Sequence, residues 1–192
     1  MVDPAVGRLL VASLHQAIAD HLPDRLEFYE SYLSPRAMRT GRIGVGSVSA
    51  ALSFLRLEGE AYAQVVDRAG VYAADWMAAD VTSWRRALLR AAPPGLRRRL
   101  LLRLLRGMIS RTSNGTRAST RWRRGTGTIG VRGSLFCDVR AQAGHPLCGF
   151  YGAAARRLLE VFDVVTDVDI ETCQAMGADG CQLTMRTRAG GA

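Results

Sequence analysis

Four potential metal ligands in the last quarter of the chain constrain its fold more than any other feature. Cys148, Glu171, Cys173 and Cys181 surround a segment whose residue pattern predicts strand, turn and strand. Three thiols and a carboxylate are ligands that zinc prefers, and four protein ligands leave no open position on the ion. The pattern therefore predicts a structural zinc site, or, if no metal binds, reduced cysteines that pack as small apolar groups. Cys137, on an earlier hairpin, is expected to belong to the core.

The hydrophobic periodicity changes along the chain from helical to alternating. Apolar residues at helical spacing predict helices at about 5–21, 25–33, 47–57, 60–78, 84–92, 95–111 and 149–162. Alternating residues predict one hairpin within 116–137 and a second one from 164–173 and 182–187. The order helices, hairpin, helix, hairpin predicts an α+β fold in which helices pack on a small antiparallel sheet.

The charge of the chain is unevenly distributed. All 26 basic residues are arginine, and 14 of them lie between Val81 and Cys137, where there is no aspartate or glutamate. The remainder carries 12 arginines against 17 acidic residues. This asymmetry favours an acidic protein partner, an anionic membrane or nucleic acid as the partner of Arg86–Arg132, which we call the basic belt. Nucleic acid is the least favoured of the three, because side chains that could stack on bases are sparse in the acid-free stretch, where Trp84 and Trp122 are the two tryptophans.

The helix expected at about 95–111 is basic and amphipathic. One face carries Leu96, Leu100, Leu104 and Met108. Much of the remaining surface is arginine, and the candidate residues for binding an anionic surface are Arg98, Arg99, Arg103 and Arg106. Helices of this kind lie on anionic membranes or pack against partners, and the alternative is a core helix with a solvated basic face.

The N-terminal sequence favours a cytoplasmic protein, with peripheral membrane association as an option. Asp3 stands where a signal peptide carries positive charge, and no long apolar core follows it. In the cytoplasm thiols stay reduced, which points the four cysteines to metal binding or packing rather than to disulfides. The three histidines are scattered and no acid–base pair stands out, so the sequence favours a protein that is not an enzyme.

Several motifs in the C-terminal half together resemble the 4-vinyl-reductase-type domain. They are the run Cys148-Gly149-Phe150-Tyr151-Gly152, the helix after it, the run Val165-Thr166-Asp167-Val168, and the spacing Cys173-x3-Gly177-x3-Cys181. The resemblance is specific over about 137–186 and loose over 44–136. That family shares its fold with the small subunits of the TRAPP membrane-trafficking complex and with bacterial hydrocarbon sensors, the ligand-binding fold of NO-signalling and Golgi-transport proteins.

The resemblance implies a domain organisation and a function. A ligand-binding domain would span 41–188, after an N-terminal helical segment at 1–40 and before a flexible tail at 189–192, all forming one compact unit. The domain would form a homodimer that holds a small hydrophobic ligand or acyl chain and acts as a sensor or scaffold. The pocket between helices and sheet would be lined by Leu52, Phe54, Leu55, Tyr62, Val65, Trp76 and Phe136. The family name alone suggests an alternative, an accessory protein of tetrapyrrole metabolism.

The resemblance also implies that zinc ties the last hairpin to the preceding helix through three thiols, those of Cys148, Cys173 and Cys181. The acid that completes the family's site corresponds to Ile170 in this chain. Glu171 stands two residues before Cys173, and residues two apart on a strand point to the same side. Glu171 is therefore the expected fourth ligand.

Overall fold

The computed structural model describes residues 6–34, 43–123 and 125–187. Within these residues the α-helices are α1 (Arg8–His21), α2 (Leu26–Glu30), α3 (Val45–Arg56), α4 (Glu60–Asp80), α5 (Ser83–Ala91), α6 (Pro94–Ser110) and α7 (Gly149–Val161). The strands are β1 (Arg117–Arg123), β2 (Thr126–Arg132), β3 (Thr166–Thr172) and β4 (Cys181–Thr187). The predicted α+β fold is confirmed. The predicted boundary at 40/41 and the tail at 189–192 lie outside the described residues.

The four strands form one antiparallel sheet in the order β1-β2-β4-β3. Its inner face carries Ile129, Val131, Leu183 and Met185, which are all buried. The strand ladder between β3 and β4 shifts register between Ile170 and Thr172. This shift is a β-bulge, in which an extra residue interrupts the alternation of side chains between the two faces.

The helix pair α4 and α7 forms the centre of the core, with α1 packed on α4 and the sheet packed on α7. Small residues allow this arrangement. At Gly70 of α4 a Cβ atom would collide with the carbonyl oxygen of Phe150 in α7. Gly152, further along α7, lies against Leu183 of the sheet. The alanine-rich sequence of α4 thus serves close helix packing.

Helix α6 covers β1, which is an edge strand of the sheet. The hydroxyl of Thr120 donates to the carbonyl oxygen of Leu102 at 3.4 Å, and the backbone N–H of Ala118 donates to Ser110 Oγ at 3.3 Å. The second contact uses a backbone N–H of the kind that an uncovered edge strand would offer to another chain. Across the described part of the chain, no helix combines the length and apolarity needed to cross a membrane.

Candidate metal centre

Four cysteine side chains meet in the core. Cys137 ends a short turn after β2, Cys148 precedes α7, Cys173 follows β3 and Cys181 begins β4. Cys137 Sγ lies 3.4 Å from Cys181 Sγ and 3.5 Å from Cys173 Sγ. Cys148 Sγ lies 3.6 Å from Cys173 Sγ. All four sulfur atoms lie within 4.8 Å of one another, and all four residues are buried and free of disulfides.

This spacing fits a tetrahedral zinc–thiolate site. With Zn–S bonds of about 2.3 Å, the sulfur atoms of a regular tetrahedron stand about 3.8 Å apart. The shortest observed separations are slightly below that value. Four thiolates would occupy every position of the ion, which is the coordination of a structural site rather than a catalytic one. The backbone N–H of Gln174 also donates to Cys181 Sγ at 3.4 Å, a contact that favours a thiolate.

The contacts among the thiols shift the pKa values of Cys181 and Cys148 in opposite directions. Hydrogen bonds from Cys137 and Cys148, with a further one from the Gln174 backbone, lower the pKa of Cys181. Contacts with Cys137 and Cys181, together with burial, raise the pKa of Cys148. Within this crowded group the ionised form is therefore favoured at Cys181 and disfavoured at Cys148. A bound divalent cation would favour the ionised form of all four.

Cys137, and not Glu171, is the fourth member of this group. The bulge between Ile170 and Thr172 interrupts the alternation that would have turned Glu171 toward the same side as Cys173. The exposed Glu171 carboxylate instead accepts a hydrogen bond from Thr184 Oγ1 at 2.6 Å. The expectation that Cys137 is a core residue holds, since it is buried, but its thiol also faces the other three. One feature of the sequence could have pointed to Cys137 as a member of this group. It is the remaining cysteine of a chain in which all four thiols are expected to stay reduced.

The residues predicted to line an apolar pocket are placed in different environments. Five of them are buried in the core: Leu52, Leu55, Tyr62, Val65 and Phe136. The ring of Phe136 stacks on that of Phe150, with centroids 4.9 Å apart. Phe54 is 38% exposed and Trp76 is half-buried. None of the seven residues lines the pocket and groove described next, within the part of the chain that the structure describes.

An apolar pocket of about 310 Å³ lies between the start of α1, the ends of α4 and α6, and the first turn of α7. Its apolar lining includes Leu9, Leu10, Met77, Met108 and Phe150. Arg8, Asp80 and Arg111 supply charged groups at the same pocket. The volume falls at the lower end of the range of small-molecule sites, about 300–1,000 Å³. Sequence reasoning missed this pocket because its walls come from segments far apart in the chain.

A wider groove of about 600 Å³ adjoins the pocket and shares Met77, Asp80 and Arg111 with it. Its walls are α5, α6 and the end of α4. Of the arginines predicted to bind an anionic surface, Arg103 lines this groove. Arg99 and Arg106 are exposed on α6. Arg98 lies apart from them, with its guanidinium 5.3 Å from the ring centroid of Trp122.

Neither a protein-family model nor a curated protein matches the chain, but solved structures do. An H-NOX protein from S. oneidensis, in the Fe(II) ligation state, matches with a TM-score of 0.57 at 11% identity, over 95% of this chain and 96% of that one. The phenol-responsive sensory domain of the transcription activator PoxR, with phenol, matches with a TM-score of 0.50 at 12% identity, over 75% and 74%. The chain shares the fold of these two proteins. Membership of the 4-vinyl-reductase-type family stays a prediction.

A third similar structure is a trafficking protein particle complex subunit 3 from Naegleria fowleri, covalently bound to palmitic acid. Its TM-score is 0.44 at 12% identity, over 93% of this chain and 96% of that one. At identities this low, likeness concerns the fold and not the ligand.

Proposed function

We propose that the chain is a non-enzymatic binding module, a homodimer that holds a small hydrophobic ligand and acts as a sensor or scaffold. The observation that carries this proposal is the convergence of four buried thiols. A zinc ion bound there would have no open position for a substrate, so the ligand would bind elsewhere. Phenol in the PoxR sensory domain, which has the same fold, supports a small apolar ligand.

The pocket of about 310 Å³ suits such a ligand. Met77 and Met108 have flexible, polarisable side chains that adapt to ligands of different shape. Phe150 lines the pocket two residues after Cys148. Zinc bound by the four cysteines would fasten the first turn of α7 to the β3–β4 hairpin and thereby fix one wall of the pocket. In this proposal the metal has a structural role and the pocket has the binding role.

Metal analysis and native mass spectrometry of one purified sample test the zinc site. We expect one zinc per chain in the wild type and in Glu171→Gln, and loss of zinc in Cys137→Ser. Loss of the metal should also lower thermal stability, because metal-binding energy becomes folding energy in a structural site. Zinc retained by Cys137→Ser and lost by Glu171→Gln would contradict the four-cysteine assignment. The native mass also tests the proposed homodimer.

Titration with phenol and with dodecanoate, followed by ligand-observed NMR, tests the pocket. Met77→Phe narrows the pocket and should weaken binding of the probes. Met176→Phe is the matched control, since Met176 is 46% exposed and lines neither the pocket nor the groove. Binding that Met77→Phe leaves unchanged would exclude this pocket as the site, and absence of binding by both probes would contradict the proposed ligand class.

A further inference from the structure

Large apolar side chains are exposed on α5 and α6 around the wide groove. Trp84 is 64% exposed, Leu88 is 59% exposed and Leu96 is 51% exposed. Trp84 and Leu88 lie one helical turn apart on α5, and both line the groove. Leu96 begins a stripe on α6 that continues through Leu100 at the same helical spacing. Exposed apolar residues grouped in this way mark a surface that meets a partner or a membrane.

Cationic side chains surround the same groove. Arg85, Arg103 and Arg111 line it, and Arg99 and Arg106 are exposed on the adjoining surface of α6. In the described ranges, none of these five arginines forms an ion pair. Among the residues that line the groove, Asp80 alone is acidic. The positive charge of this surface is therefore available to an external anion.

We propose that the α5–α6 surface docks on an anionic lipid bilayer. Trp84, Leu88 and Leu96 enter the boundary between headgroups and acyl chains, a depth at which tryptophan is enriched in membrane proteins. The guanidinium groups of Arg99 and Arg103 reach lipid phosphates while their aliphatic stems cover apolar surface.

The guanidinium of Arg85 lies 5.1 Å from the ring centroid of Trp84, so one cation accompanies the aromatic anchor. The combination of arginines with exposed apolar side chains distinguishes between the kinds of partner that the charge of the basic belt alone leaves open. Nucleic acid would engage the cations and, where it is single-stranded, the ring of Trp84, but it offers no apolar layer for Leu88 and Leu96. A bilayer that contains anionic lipids supplies both the negative charge and the apolar layer. This docking goes beyond the proposed ligand-binding function and depends neither on zinc nor on the small pocket.

Co-sedimentation with vesicles tests the electrostatic part of this proposal. The wild type should bind phosphatidylcholine vesicles that contain phosphatidylserine, bind pure phosphatidylcholine poorly, and be released by high salt. The triple variant Arg99→Gln, Arg103→Gln, Arg106→Gln should bind about 100-fold more weakly, from about fivefold for each arginine.

The matched control for charge is the triple substitution of arginine by glutamine at positions 117, 121 and 123. These residues are exposed on β1, on the face of the sheet opposite the helices, and also belong to the basic belt. The control removes the same charge and should keep most of the binding. Equal loss in both triple variants would overturn the proposal, because binding would then follow net charge and not this surface.

A second pair of variants tests whether the apolar side chains of α5 enter the bilayer. Trp84→Ser with Leu88→Ser should weaken vesicle binding, whereas Leu57→Ser should not, although Leu57 is 81% exposed. Binding that is unaffected by the double substitution would contradict insertion of α5. Equal affinity for neutral and anionic vesicles, or tighter binding of a DNA duplex at the same ionic strength, would also contradict the proposal. The last result would assign the arginines to nucleic acid.

Discussion

The contact between α4 and α7 allows a sharp test of the packing that positions both the four cysteines and the pocket. Gly70 is the single glycine of α4, and it lies where this helix approaches α7 closely. A Cβ atom added there would collide with the carbonyl oxygen of Phe150 and would lie 3.0 Å from both Ala153 Cβ and the backbone nitrogen of Ala154. Two of these three atoms are backbone atoms, which cannot rotate away as a flexible side chain can. The substitution Gly70→Ala therefore requires the two helices to move apart.

The expected cost follows from two opposing effects. Overpacking of a well-packed core costs about 1–3 kcal/mol. Replacing a helical glycine by alanine returns about 1 kcal/mol of helix propensity. Because the obstacle is backbone, we expect the clash to cost about 2–3 kcal/mol, the upper part of that range, with a net loss of about 1–2 kcal/mol in the free energy of unfolding. For a chain of this size that loss lowers Tm by about 2–8 °C.

The matched control is Gly107→Ala, in α6, where an added Cβ meets no atom within 4 Å. This variant should gain about 0.5–1 kcal/mol, since only the helix propensity changes. Urea and thermal unfolding followed by circular dichroism, in the same zinc-containing buffer, measure both variants. The prediction is a difference in sign between the two substitutions. A Gly70→Ala protein as stable as the wild type would refute the close approach of α4 and α7.

Two further predictions concern hydrogen bonds away from the metal centre. Tyr151 is fully buried and its O–H donates to Ser134 Oγ at 3.1 Å. The substitution Tyr151→Phe should lower the free energy of unfolding in urea by about 1–2 kcal/mol. An unchanged unfolding midpoint would show that this hydrogen bond contributes nothing to stability. The Tyr72 hydroxyl, with the Arg68 guanidinium, donates to the Asp20 carboxylate and holds the pKa of Asp20 below its ordinary value of 3.8. Such a carboxylate stabilises the fold above its unfolded pKa, and this stabilisation is lost as the pH falls through the lower folded pKa. Asp20→Asn should thus slightly lower stability at neutral pH and remove part of the acid dependence below pH 3.8; parallel stability–pH curves for the two proteins would contradict this.

Local patterns in the sequence were sufficient to predict the types of the secondary-structure elements and their order along the chain. Helical spacing and strand alternation depend on neighbours within a few residues, so they can be read without knowing the fold. The spacing of Cys173 and Cys181 around a turn is also local, which is why both thiols could be assigned to one site. The resemblance added Cys148 to them, and the structure brings all three together.

The fourth thiol could not be assigned in this way. Cys137 is separated from Cys173 by 36 residues and from Cys181 by 44 residues. It reaches them because β2 pairs with β4 and the turn after β2 returns to the start of β4. Glu171 lies outside the group of four cysteines for a related reason. Alternation holds only while the ladder is regular, and the bulge arises from the pairing of β3 with β4.

The sequence by itself determined which segments are helices or strands, where the arginines concentrate, and which residue types could bind zinc. Only the tertiary structure decided which four side chains converge and whether Phe136 packs in the core or lines a cavity. It also decided that α5 leaves Trp84 and Leu88 exposed beside exposed arginines. The physical reason is that periodicity describes one element at a time. Cavities, clusters and exposed faces are defined by the packing of elements that lie far apart along the chain.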